Sequence, residues 1–205
     1  RIPVDLPALD ADYLSVSAAK FGGGRGIGAL LLSPRARLRP LLAGDERERR
    51  RRAGLEHLPG VAAMAETLLQ LRPNDPHGPA AAAAAHMETL RRRLRQRLAA
   101  AATDVEVHGP DDESVPHIAA VSALYCDGET LVSALDTAGY EVHSGSSCAT
   151  TSGEPSHVLV AMGALTHGHV RVSVAADTTA EDVDAFAAAF AAAVAQLRAA
   201  SLGGR

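Results

Sequence analysis

Apolar and polar residues alternate with a period of two in two stretches of this chain, the mark of a half-buried strand. In "YLSVSA" Leu14 and Val16 face one way, Ser15 and Ser17 the other. In "HVRVSVA" (169–175) Val170, Val172 and Val174 share one face, and His169, Arg171 and Ser173 share the opposite one. "IGALLLS" (27–33), an apolar run opened by glycine and closed by Ser33-Pro34, predicts a buried strand. "VEVHG" (105–109) and "PHIAAVSALYC" (116–126) predict two more. The helical period appears in "VAAMAETLLQL" (61–71), where Met64, Leu68 and Leu71 fall on one side. It continues from about Ala80 to Ala102 and in "GETLVSALDTAGY" (128–140), which Gly139 stops. "PSHVLVAMG" (155–163) has proline at its start and glycine at its end, the asymmetry expected of a helix. A final helix opens with the box "TAED" (179–182) and carries Val183, Phe186, Phe190, Val194 and Leu197 at helical spacing.

The charged, Gly- and Pro-rich stretch from Pro34 to Gly60 predicts a surface loop, and "RPNDPHGP" (72–79) is the strongest punctuation in the chain. It divides the sequence into residues 1–75 and a small α+β domain, 76–205. Without an initiator methionine, and opening on what reads as a turn after an absent strand, the chain is expected to be a piece of a longer protein.

Composition changes this picture little. The 205 residues are 47% hydrophobic and 21% charged, ordinary values for a globular protein, with alanine supplying much of the apolar share. A net charge of −4 argues against direct nucleic-acid binding. No apolar run approaches the ~20 residues of a membrane span, so no membrane partner is expected. The two cysteines, Cys126 and Cys148, form no CxxC pair, and a reduced cytoplasmic setting is the default expectation.

Three residues invite chemistry. Lys20 is the one lysine among 20 cationic side chains and precedes five glycines in seven residues, "FGGGRGIG". It is either a surface cation that escaped the arginine bias or an amine kept for a task that a guanidinium cannot perform, such as condensation with an aldehyde. The glycines allow close backbone approach to a phosphate or cofactor, or merely a turn; no GK[ST] follows, so they form no P-loop. Cys148 lies in the polar, flexible "SGSSCATTSG", where an exposed reactive thiol or an incidental loop cysteine both fit, whereas Cys126 in "VSALYC" belongs to the core. Arg171, on the strand face opposite the valines, suits either bidentate binding of a carboxylate or plain solvation. The clusters "RERRRR" (47–52) and "RRRLRQR" (91–97) are there too, the second read as a solvated helix face. The nine histidines form no HxxxH or HExxH pattern, so no metal site is predicted.

Four segments in order resemble cysteine desulfurases of the class V, fold-type I pyridoxal-phosphate (PLP) family. "ADYLSVSAAKFGGGRGIGALLL" is similar to the segment of the cofactor lysine, and "RERRRRAGLEHLPGV" to the family's Arg-(Ser/Ala)-Gly-Thr-Glu-Asn-x-Pro-Gly loop. "SGSSCATTSGEPSHVLVAMG" resembles the loop bearing the persulfide cysteine, and "VRVSVAADTTAEDVDAF" the strand of the carboxylate-binding arginine with the last helix. The sequence has Ala19, Leu55 and His57 where the family motifs have histidine, threonine and asparagine.

The resemblance implies an α/β fold: the C-terminal part of a PLP fold-type I large domain, followed by a small α+β C-terminal domain. It implies that Lys20 holds pyridoxal 5'-phosphate, that Ser17 contacts its phosphate and that Arg171 binds the carboxylate of L-cysteine. Cys148 would take the sulfur as a persulfide, releasing alanine, for a sulfur-acceptor protein such as an iron–sulfur scaffold. A homodimer is expected from the family. Two other readings stay open: a non-catalytic interaction or dimerisation module derived from the family, and another class V aminotransferase or selenocysteine lyase.

Overall fold

A computed structural model describes residues 2, 4–145 and 156–203. They form two compact units, which divide at residues 82 and 83.

The first unit is built on an antiparallel pair, β1 (Tyr13–Ser17) and β2 (Gly28–Leu32), in a register that sets Tyr13 opposite Leu32 and Ser17 opposite Gly28. The hairpin is a tight fit at Gly28, where a Cβ would lie 2.5 Å from the Val16 carbonyl oxygen. A single turn, α1 (Arg47–Arg50), and the helix α2 (Leu58–Leu71) follow. α2 begins three residues before the predicted Val61, because Pro59 fits the first turn of a helix, where its missing N–H is not needed. It ends on Arg72 in a left-handed conformation. One expectation fails here. β2 is a strand but not a buried one: Leu30 and Leu31 keep 49% and 41% of their surface exposed. An apolar run reports a preference for cover, and a two-stranded ladder has only one partner strand to provide it.

The second unit is a three-stranded antiparallel sheet, β3 (Val105–His108), β4 (Ile118–Ala123) and β5 (His169–Ser173), in the order β3-β4-β5. Helices α3 (Pro79–Ala99), α4 (Gly128–Thr137), α5 (His157–Met162) and α6 (Ala180–Gly203) complete it. The valine face of β5 is buried as the alternation predicts, together with Val121 of β4. Three helices close over that face: α3 with Met87, Leu90, Leu94 and Leu98, α4 with Leu131 and Leu135, and α6 with Val183, Phe186, Phe190 and Val194. These spacings of three and four keep each apolar stripe on one side of its helix. Cys126 is buried in the same core, and burial pushes its thiol pKa up.

Each helix has a local reason to start or stop. Thr179 caps α6: its Oγ1 accepts from Asp182 N (3.1 Å), and Asp182 Oδ2 accepts from Thr179 N (2.9 Å), the reciprocal pattern of a capping box. Asp127 caps α4 by accepting from Thr130 N at 2.9 Å. Gly163 ends α5 at φ 64°. By length and composition α6 could cross a membrane over Ala180–Ser201, which the sequence reading did not foresee. Its hydropathy comes largely from alanine, and its large side chains lie in the core just described.

The arginines of α3 overturn the expectation of a solvated face. Arg91 is 1% exposed; it pairs with Glu88 through two bonds of 2.8 and 2.9 Å and donates to the Asp111 carbonyl at 2.5 Å. Arg95 donates to the carbonyls of His108 (2.6 Å) and Gly109 (2.8 Å) and to Asp111 Oδ1 (2.9 Å). Arg93 and Arg97 both grip Asp184 of α6. Charge patterning alone misses this: a guanidinium fork on a long stem reaches carbonyls and carboxylates on neighbouring elements that sequence spacing does not reveal.

Candidate functional site

Ser17 and Lys20 stand at the two ends of one feature. β1 runs out at Ser17 and turns into a single 3-10 turn, Ala18–Lys20. Ala18, fully buried, anchors it: its N–H donates to the Ile27 carbonyl (3.1 Å), and its own carbonyl accepts from Phe21 N (3.1 Å) and Gly23 N (2.9 Å). The glycine run folds back here through left-handed conformations at Gly22, Gly24 and Gly26 (φ 87°, 89° and 78°), which side chains rarely adopt. Ser17, in extended conformation, opens the turn and Lys20 is its last residue, so the two lie three apart along the chain. Both are exposed, and the Ser17 hydroxyl makes no capping bond. Among the described residues the Lys20 amine has no ion-pair partner.

An accessible amine beside an uncommitted hydroxyl fits the aldehyde and phosphate ends of pyridoxal phosphate. Lys20 would hold the aldehyde and Ser17 would donate to a phosphate oxygen. Ala19, between them, is exposed and brings no donor. The loop beyond α1 is held by its own arginines: Arg52 donates to the carbonyls of Ala53, Gly54 and Leu55, and Arg47 pairs with Glu56 at 2.6 Å. Leu55 is exposed.

Arg171 belongs to the second unit. It lies on β5 with its side chain exposed, opposite the valine face, and among the described residues its guanidinium has no partner. Its backbone is held on both sides, by Ala120 of β4 and by an isolated bridge to His143, with Arg171 N donating to the His143 carbonyl at 2.6 Å. Cys148 lies outside the described residues. Among the described residues no cluster of histidine, cysteine, aspartate or glutamate is suited to a metal ion.

The sequence reading missed a polar cluster on the same sheet face. His169, placed by alternation opposite the core, is only 8% exposed, and His108 and Ser122 are buried beside it. His108 Nε2 lies 2.7 Å from Ser122 Oγ, and the two imidazoles are 5.7 Å apart. A buried ring disfavours its charged form. Burial, followed by the neighbouring His108 and Arg171, pushes the His169 pKa down to about 4. Burial also lowers that of His108, partly offset by Glu106. The available signal was a serine inside the apolar "AAVSAL" and a histidine opening a strand.

The sign of the resulting pH dependence is determined. Between about pH 6.5 and 4 the unfolded chain binds more protons at these histidines than the folded one, so stability falls as the pH drops through that window. For His169 alone the loss is on the order of 2–3 kcal/mol. A second loss follows below about pH 4.5, because Arg91 holds Glu88, and Arg93 holds Asp184, at pKa values of about 2. Urea unfolding at pH 7, 5.5 and 4.5 should show the first decline, and His169→Gln should flatten it.

A family model described as aminotransferase class-V matches residues 1–186. A cysteine desulfurase from Cereibacter sphaeroides is 35% identical over 204 residues, covering 98% of this chain and 51% of the relative. One from a Nostoc species is 35% identical over 195 residues, covering 90% of this chain and 46% of the relative. A solved NifS-like protein superposes with a TM-score of 0.78 at 30% identity over 96% of this chain and 50% of its own. The NifS-like protein from Rickettsia africae, at 24% identity and a TM-score of 0.77, shares the fold. The chain thus spans about half the length of the curated relatives that it matches. With the α/β architecture and the lysine turn in place, the match over nine-tenths of its length shows that this chain belongs to the aminotransferase class-V family.

Proposed function

We propose that this chain carries the cofactor lysine, substrate arginine and sulfur-accepting cysteine of a PLP-dependent cysteine desulfurase. The observation that carries the reading is the exposed Lys20 amine, at the end of a turn fixed by backbone bonds that opens on Ser17, whose hydroxyl makes no capping bond. The similarity to cysteine desulfurases supports L-cysteine as the substrate. Bound at Lys20, the cofactor's ring would accept the electron pair left when the substrate Cα loses its proton. Lys20 would carry that proton, and the Arg171 fork would orient the carboxylate. The Cys148 thiolate would attack the substrate sulfur: the Cβ–S bond breaks, Cβ gains a proton to give alanine, and the sulfur remains on Cys148 as a persulfide. A sulfur-acceptor protein would then remove it. Homodimerisation and a cytoplasmic setting belong to the same proposal.

The test is to supply PLP and L-cysteine, quantify alanine, and map persulfide by alkylation and mass spectrometry. Alanine release with persulfide on Cys148 is the expected result. Alanine without persulfide points to another class V activity. Neither product, with PLP bound or not, favours a non-catalytic module, the reading that the exposed Leu30 and Leu31 of β2 would then serve as a contact surface.

A further inference from the structure

The face of the β3-β4-β5 sheet that carries Arg171 is partly covered: His108, Ser122 and His169 are buried, while Glu106 and Arg171 are exposed. The register sets Glu106, Ser122 and His169 side by side across the three strands, and His108, Ala120 and Arg171 side by side in the neighbouring row. Leu165 lies against the first of these rows, and residues 143–145 run along the edge of β5. Leu165 is clamped at both ends: its N–H donates to Glu106 Oε2 (3.1 Å), and its carbonyl accepts from Ser122 Oγ (2.7 Å). Gly145 packs on His169 so closely that a Cβ would meet the ring's Cδ2 at 3.3 Å. Two residues before it, His143 exchanges both backbone hydrogen bonds with Arg171, at 2.6 and 3.2 Å. Gly145 N donates to His143 Nδ1 at 3.0 Å, and Ser144 donates to Glu129 of α4 at 2.5 Å.

The hydrogen-bond arithmetic fits neutral rings. Ser122 has one proton, given to Leu165, so its oxygen is the acceptor for His108 Nε2–H. His108 Nδ1 is then left without a hydrogen bond, 3.3 Å from Glu106 Oε1. His169 Nδ1 stands 3.4 Å from the same Ser122 oxygen. Around His169 stand His108 from β3, Ser122 from β4, Arg171 from its own strand and Gly145 from the paired segment, while Glu106 and Arg95 act on His108. A proton on His169 would place a cation between His108 and Arg171, with no carboxylate acting on it directly. Solvating it requires Gly145, its neighbour at the β5 edge, to give way, and Gly145 is two residues from the bridge that holds Arg171.

We propose that His169 is a positioning residue for Arg171: the neutral ring packed beside Gly145 keeps the His143–Arg171 bridge closed, and a protonated ring opens it. The role for Arg171 rests on the carboxylate-binding reading above. The consequence is a site that loses its hold on the substrate carboxylate in acid before the domain unfolds.

The test follows the wild-type chain by NMR between pH 7.5 and 3, with glycine and histidine isotope labels and S-methyl-L-cysteine as an unreactive carboxylate probe. The Gly145 amide is expected to move with the midpoint of the His169 ring, and probe affinity to fall roughly tenfold across that midpoint. In His169→Gln both pH responses should disappear. Because the wild-type midpoints alone decide the linkage, the proposal stays falsifiable if this variant fails to fold. A Gly145 response that follows the His143 ring, with probe binding normal, overturns the positioning role alone. Coincident midpoints with no probe binding at any pH, and no change in Arg171→Ala, overturn the carboxylate reading and the positioning role with it.

Discussion

Replacing Lys20 by arginine should abolish the visible absorbance that pyridoxal phosphate gives with this protein, and lower alanine release from L-cysteine by about 10³-fold or more. The substitution keeps the positive charge and most of the reach, so it isolates one property. A guanidinium stays protonated and does not condense with an aldehyde, whereas an amine does. The fold should not change, because the Lys20 side chain is exposed and the turn is held by backbone bonds around Ala18. Far-UV circular dichroism that overlays wild type, together with lost absorbance, is therefore the expected pair of readings. Retained absorbance and activity in Lys20→Arg would place the chemistry on another group. Loss of absorbance and activity in Lys20→Arg would also explain why 19 of 20 cations here are arginine and one is not: an amine is kept where a guanidinium cannot serve.

Phe190→Ala should cost the second unit about 3–5 kcal/mol. Phe190 has no exposed surface and lies in the core that joins α6 to α3, α4 and the sheet. Its ring centroid is 6.4 Å from that of Phe186, which in turn meets Tyr140 edge-on at 5.3 Å. Aromatics are scarce in this chain, three phenylalanines and no tryptophan, and most of the surrounding side chains are alanine, valine and leucine. Small neighbours on stiff helices do not refill a benzyl-sized hole, so the cavity term persists. Against a typical total of 5–15 kcal/mol, such a loss is visible as a large fall in the urea midpoint. A shift worth less than about 1 kcal/mol would show that α6 is not the closing element of this core.

Periodicity made most of the second unit legible. The valines of β5 and the stripe of α6 lie where their spacing puts them, because both are decided by neighbours close in sequence and by a single buried face. The failures share a cause. His169 was assigned correctly to the face opposite the valines, yet its ring is buried between Ser122 of β4, His108 of β3 and Gly145 at the strand edge, with Leu165 bonded to Ser122 beside it. Alternation says which face a residue occupies and nothing about what packs on that face. The arginines of α3 have a helical pattern that reads as a solvated face, but Arg91, Arg93 and Arg95 are tied to the Asp111 carbonyl, Asp184 and the His108 carbonyl by contacts that only the fold creates. β2 shows the converse: its leucines read as core, and the first unit leaves two of them exposed. As candidates, Lys20 and Arg171 stood out in the sequence through composition and alternation. The 3-10 turn between Ser17 and Lys20 did not, because no spacing rule distinguishes it from an extension of the strand.

The central claim is that Lys20 is the cofactor-holding amine, and chemical trapping tests it directly. The protein is incubated with pyridoxal phosphate, reduced with borohydride, digested and mapped by mass spectrometry. Because Lys20 is the only lysine, the assignment is unambiguous. The account predicts a near-stoichiometric pyridoxyl adduct on the peptide containing Lys20, absent in Lys20→Arg. No adduct, or one confined to the terminal amine, would contradict it.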